Sequence, residues 1–91
     1  MNKQRRKLIS SLVSKLQDLQ AQLETLKEEA EGIRDEEQEY KDNMPESLAD
    51  GDKGSAADEA IGEMEEAISE LDTAVSSIES AISGLENSQA H

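Results

Sequence analysis

The chain has 91 residues, a formal net charge of −13, no cysteine, no Phe or Trp, and a single Tyr. That length allows one small domain, and the lack of cysteine excludes a disulfide framework and any thiolate metal site. The large apolar residues are Leu, Ile, Val and Met, the palette of helix bundles and coiled coils, so an all-α fold is expected.

Charge is unevenly spread. Residues 1–17 hold five cations (Lys3, Arg5, Arg6, Lys7 and Lys15) and no acid, whereas the other 74 residues hold four cations against 22 acids, a net of −18. An acidic surface of this kind repels nucleic acid, so broad nucleic-acid binding is not expected. The N-terminus has the charge of a signal peptide without its unbroken apolar centre, and no apolar run reaches the roughly 18 residues that span a bilayer. A soluble, cytoplasmic protein without a membrane partner is the expectation.

The first element is predicted as a helix over about residues 3–42, with Asn2 as N-cap. Its apolar residues step by three and four without a break: Ile9, Leu12, Leu16, Leu19, Leu23, Leu26, Ala30, Ile33, Glu37, Tyr40. This is a heptad seam with Ile9 at position a and Leu12 at position d. Glu37 is the one acid inside it, and Arg34, one turn earlier, is placed to pair with it. Lys3, Arg5, Arg6 and Lys7 crowd the first turns, where a helix already carries its positive end. Such a cluster is a candidate anion site for a phosphate or an acidic partner.

A polar link is predicted over residues 43–55, rich in Asn, Pro, Gly and Asp. Pro45 is placed to start a short helical turn through the PESL run. The DGDKGS stretch at 50–55 superficially resembles a calcium loop, but it lacks the sixth-position glycine and the twelfth-position glutamate, so no metal is expected.

A second helix is predicted over about residues 56–86, opened by Ser55 and Asp58 in a capping-box-like arrangement and followed by a flexible tail at 87–91. Its seam runs Ile61, Met64, Ile68, Leu71, Val75, Ile78, Ile82, Leu85, and Ala60, Ala67, Ala74 and Ala81 recur every seven residues beside it. An antiparallel hairpin then sets Tyr40 opposite Ile61, Ile33 opposite Ile68 and Leu19 opposite Ile82. In that register the first dozen residues overhang the second helix. The broad apolar face of Leu8, Ile9, Leu12, Val13 and Leu16 is therefore the expected oligomer interface, joining hairpins into a helix bundle.

No catalytic constellation is visible. The lone histidine, His91, is the last residue, no glycine-rich phosphate loop is present, and the many glutamates fall on solvated faces. A non-enzymatic protein without cofactor is expected. The bend between the helices is the candidate recognition tip, because Arg34, Glu37, Tyr40, Asn43, Pro45 and Glu46 bring unusual residue types together there.

The run RDEEQEYKDNMPESL, followed by a repeat of the form EAIxxMEEAIxxL, resembles a group of small, acidic, helical proteins of unknown function encoded by bacteriophages and prophages. The stretch ADGDKGSA after PESL is less charged than the corresponding stretch of that group. The resemblance implies phage origin and action in the cytoplasm of a bacterium. On that basis the expected function is inhibition of a host defence component, by occluding a host protein or by sequestering a small anionic nucleotide signal. The rival expectation is a structural coiled coil, a phage assembly chaperone or scaffold.

Overall fold

The computed structural model describes residues 1–91 and contains three helices and no strand: α1 (Lys3–Asp42), α2 (Glu46–Ala49) and α3 (Asp52–Ser88). The first helix has the predicted bounds. Asn2 caps it as expected: the backbone N–H of Arg5 donates to Asn2 Oδ1 at 2.8 Å, satisfying one of the donors that a helix start leaves open.

The link holds the expected short helical turn and is shorter than expected. The turn is the one-turn helix α2, for which Pro45 is the N-cap, with its carbonyl accepting from the N–H groups of Leu48 and Ala49 at 2.9 Å each. The second long helix then begins at Asp52, four residues before the predicted start. Ser55 is not its cap; the Ser55 N–H already donates to the carbonyl of Gly51 at 3.1 Å. Asp52 places an acid in the first turn, where the helix dipole favours it.

Gly54 explains why helix can begin so early. It is buried, and a Cβ at this position would lie 1.7 Å from the carbonyl oxygen of Ala49 and 2.5 Å from its carbon. The glycine acts here as a notch that lets the backbone of α2 press onto the first turn of α3, and not as a helix breaker.

The chain divides into two compact units, one of residues 1–25 with 71–91 and the other of residues 26–70. In the first, α1 and the end of α3 run antiparallel. The N-terminal ammonium donates to the carbonyl of His91, and Gln89 Nε2 lies 3.4 Å from Ser10 Oγ. Val13, Val75 and Ile82 are its buried residues, flanked by half-buried Ile9, Leu16, Leu23, Leu71, Ile78 and Leu85. The expected overhang is thus partly covered: the turns beyond Ser88, closed by N–H donation from Gln89, Ala90 and His91 to Glu86, Asn87 and Ser88, come back onto α1.

The second unit is a helical hairpin, bent through α2. Its buried residues are Gly54, Ala57, Ile61 and Ile68, all on α3. The side of α1 that is half-buried in this unit is only partly the predicted one. It consists of the seam residues Ala30 and Glu37 with Lys27, Glu31, Arg34 and Lys41, so a small residue and five polar ones provide the cover on this side. Long cationic side chains do this with their aliphatic stems while the charge stays in water. The a row of the predicted seam holds throughout α1, but its companion row is e, not d. Leu12, Leu19, Leu26, Ile33 and Tyr40 are instead between 45 and 59% exposed. The buried stripe on α1 thus spans the a row and the e row, and a partner helix centred between them leaves the d row outside.

Candidate functional site

The bend is built by three backbone devices. Asn43 N–H still donates to Glu39 at 3.0 Å, Met44 N–H closes on Lys41 at 3.1 Å, and Pro45 then turns to φ −56° and ψ 146° to start α2. The six residues expected to form a recognition tip are divided by this geometry. Tyr40, Asn43, Pro45 and Glu46 are exposed, whereas Arg34 and Glu37 lie on the half-buried side of α1.

Arg34 does not pair with Glu37. Its Nε and Nη2 both reach Asp35 Oδ1, at 3.1 and 3.0 Å. Glu37 is therefore no ion-paired register device of the expected kind; it sits half-buried one turn beyond the Arg34–Asp35 pair. On the neighbouring face Gln38 donates to Asp42 at 3.0 Å, and the Lys41 ammonium pairs with Asp58 of α3. Asp58, expected to take part in a capping box, serves as the anchor of this cross-helix pair.

The other two expected groups belong to the first unit. Lys3, Arg5, Arg6 and Lys7 are all exposed on the opening turns of α1. Of the expected interface residues, Val13 is buried by its own chain at 8% exposure, Ile9 and Leu16 are half-buried, and only Leu8 and Leu12 remain well exposed. Val13 is covered within the chain where α3 continues to Ser88, beyond its predicted end near residue 86, and is followed by further turns.

What the seam analysis missed is the outward row of α1. In the second unit this row is Leu26, Ile33 and Tyr40; in the first it is Leu12 and Leu19, with Leu8 beside it. Within each unit, spacing of seven sets them on one face of the helix. The signal available in the sequence was the row beside them, Lys27, Arg34 and Lys41, whose long stems can serve as cover in place of leucine. No helix is long and apolar enough to cross a membrane, and no cluster of three or more His, Asp or Glu side chains is placed to hold a metal. In comparisons with known proteins, no family model matches the chain, and neither a curated protein nor a solved structure does.

Proposed function

We propose that this chain is a non-enzymatic binding protein whose working surface is the outward row of α1 in the second unit: Leu26, Ile33 and Tyr40. One observation supports the reading above others. In the second unit α1 turns its large apolar side chains to solvent and its Arg34, Glu37 and Lys41 towards α3. Scattered exposed leucines are ordinary, but large apolar residues repeated every seven positions on one helix form a seam suited to another helix. The ligand chemistry of such a surface is an amphipathic protein helix.

In the phage setting that the sequence resemblance implies, binding of this kind inhibits a host defence component by covering a protein surface. Occlusion is favoured over nucleotide sequestration. The row is apolar, and the cations Lys3, Arg5, Arg6 and Lys7 lie on exposed turns at one helix end. A scaffold or assembly chaperone would use the same row, and infection assays separate the two roles. Bacteria carrying a defence system are challenged with phage while expressing either the wild-type chain or the double variant Leu26→Asp, Ile33→Asp. Rescue of plaque formation by the wild type and its loss in a folded double variant is the expected result. Full rescue by the double variant would remove the row from the function.

A further inference from the structure

The outward row of the second unit runs along one edge of its hairpin, and the ion pair on the opposite edge identifies which one. Lys41 of α1 pairs with Asp58 of α3. Each is at position e of its own heptads when the buried Ile61 and Ile68 of α3 take position a. In an antiparallel pair of helices like rows meet, e beside e on one edge and g beside g on the other. The edge away from Lys41 and Asp58 therefore carries Leu26, Ile33 and Tyr40 from α1, and Ala60 and Ala67 from α3. Ala60 is half-buried, whereas Ala67 and the three α1 residues are exposed.

Acids rim this apolar strip on both sides. The next row outward brings Glu29 and Glu36 on α1, and Glu63 and Glu70 on α3, all four exposed. The ion pairs Arg34–Asp35 and Lys41–Asp58 use none of them. The cations of the unit lie elsewhere. Lys27, Arg34 and Lys41 are on the half-buried side of α1, and Lys53 is in the first turn of α3, at the bend. Residues 26–70 as a whole hold four cations against 17 acids, a net of −13. A helix with acidic flanks laid on the strip would set carboxylate beside carboxylate along both rims. A helix with cationic flanks meets an opposite charge on each side.

We infer that the helix taken by this edge is a cationic amphipathic one. Its apolar a and d residues lie on Leu26, Ile33 and Tyr40, and Lys or Arg at both e and g lie beside Glu29, Glu36, Glu63 and Glu70. The inference rests on the reading of this row as a helix-binding surface and gives the chemistry of its partner. The apolar row supplies the contact, while the two rims select the sign of the partner's charge and speed the encounter. The same selection works against a second copy of this hairpin, whose own edge would bring four more glutamates to the rims.

Synthetic peptides of about three heptads test it, all offered to the full-length chain in fluorescence anisotropy. One has Leu at a and d with Lys at e and g, and a second has Glu in place of Lys. A third has the composition of the Lys peptide in scrambled order and reports attraction by charge alone. The Lys peptide should bind, the Glu peptide should not, and the scrambled peptide should be weaker by about tenfold or more. The variant Glu29→Gln, Glu36→Gln, Glu63→Gln, Glu70→Gln should bind the Lys peptide about tenfold more weakly, a modest loss for each exposed pair. It should stay helical by circular dichroism, glutamine being a good helix former. The control Glu28→Gln, Glu59→Gln, Glu65→Gln, Glu66→Gln removes as much charge from other exposed positions and should bind as the wild type does. Equal binding of the Lys and Glu peptides overturns the inference, as does equal binding of the scrambled peptide or equal weakening in the two variants. A dimer at micromolar concentration that Ile33→Asp dissociates overturns it too, because the row then belongs to a second copy. Failure to bind the Lys peptide, with plaque rescue still lost in the Leu26→Asp, Ile33→Asp variant, sinks the inference and leaves the helix-binding reading standing with a partner of other chemistry. Selective binding of the Lys peptide by a chain whose rim variant still rescues plaques in full has the opposite meaning: the cationic helix stands and the functional reading falls.

Discussion

Lys41 on α1 and Asp58 on α3 form an ion pair across the hairpin of the second unit, 17 residues apart in the chain and one turn from the bend on the α1 side. The Lys41 side chain is 28% exposed and that of Asp58 58%, so water competes for both charges. The pair accordingly fixes how the helices are aligned more than it adds to stability.

Asp58→Asn should cost no more than about 1 kcal/mol in urea denaturation, the usual ceiling for an exposed pair. The cost should shrink as salt rises, because exposed charges are screened over about 8–10 Å near physiological ionic strength. A loss that is large and indifferent to salt would show that Asp58 acts through something other than this pair.

Gly54 and Gly62 should respond oppositely to alanine. At Gly54 the new methyl group collides with the Ala49 backbone, which cannot swing aside as a side chain does, so a loss of about 1–3 kcal/mol is expected. At Gly62 nothing lies within 4 Å of the added carbon, and alanine in a helix interior should gain about 0.5–1 kcal/mol. Thermal unfolding of the two variants, side by side, makes the comparison. Equal responses would mean that the abutment of α2 on α3 is not maintained in solution.

Ile68 is buried in the second unit, and Ile68→Ala should cost about 2–5 kcal/mol. Leu26→Ala removes a side chain that is 51% exposed within the chain. Its cost should stay within about 0.5 kcal/mol, the usual range for a surface substitution. A loss in thermal unfolding as large as that of Ile68→Ala would show that Leu26 is packed in solution.

Asn2→Ala removes the acceptor of the Arg5 N–H and should cost about 0.5–2 kcal/mol at the helix start. Hydrogen exchange at the Arg5 amide should speed up while the amides near Leu23 keep their protection. Unchanged exchange at Arg5 would mean that water replaces the cap without loss.

The helices themselves were legible in the sequence because their cause is local. An unbroken three-four spacing from Ile9 onward, capped by Asn2, needs no knowledge of the partner to be read as helix. Which side of the a row faces α3 was not legible. At about 100° per residue the d row sits some 60° to one side of a and the e row some 40° to the other. A hydropathy pattern favours Leu26 over Lys27 and Ile33 over Arg34, and the folded chain places the lysine and the arginine inward. That choice depends on tertiary contacts, and the stems of Lys and Arg have no hydropathy signature. Gly54 misled for a related reason: a glycine needed for close approach reads the same as one that ends a helix.

The four successive heptads of α3, EAIGEME, EAISELD, TAVSSIE and SAISGLE, are close to interchangeable. Such a helix is a ruler with identical graduations: shifted along α1 by one repeat, about 10 Å at 1.5 Å per residue, it would offer nearly the same apolar row. The Gly54 notch against Ala49 has no counterpart seven residues on, since Ile61 occupies the equivalent place. It is therefore the zero mark of the ruler. Filling that notch should show itself in a loss of register, with alternative alignments of the same helices, as well as in a lower melting temperature.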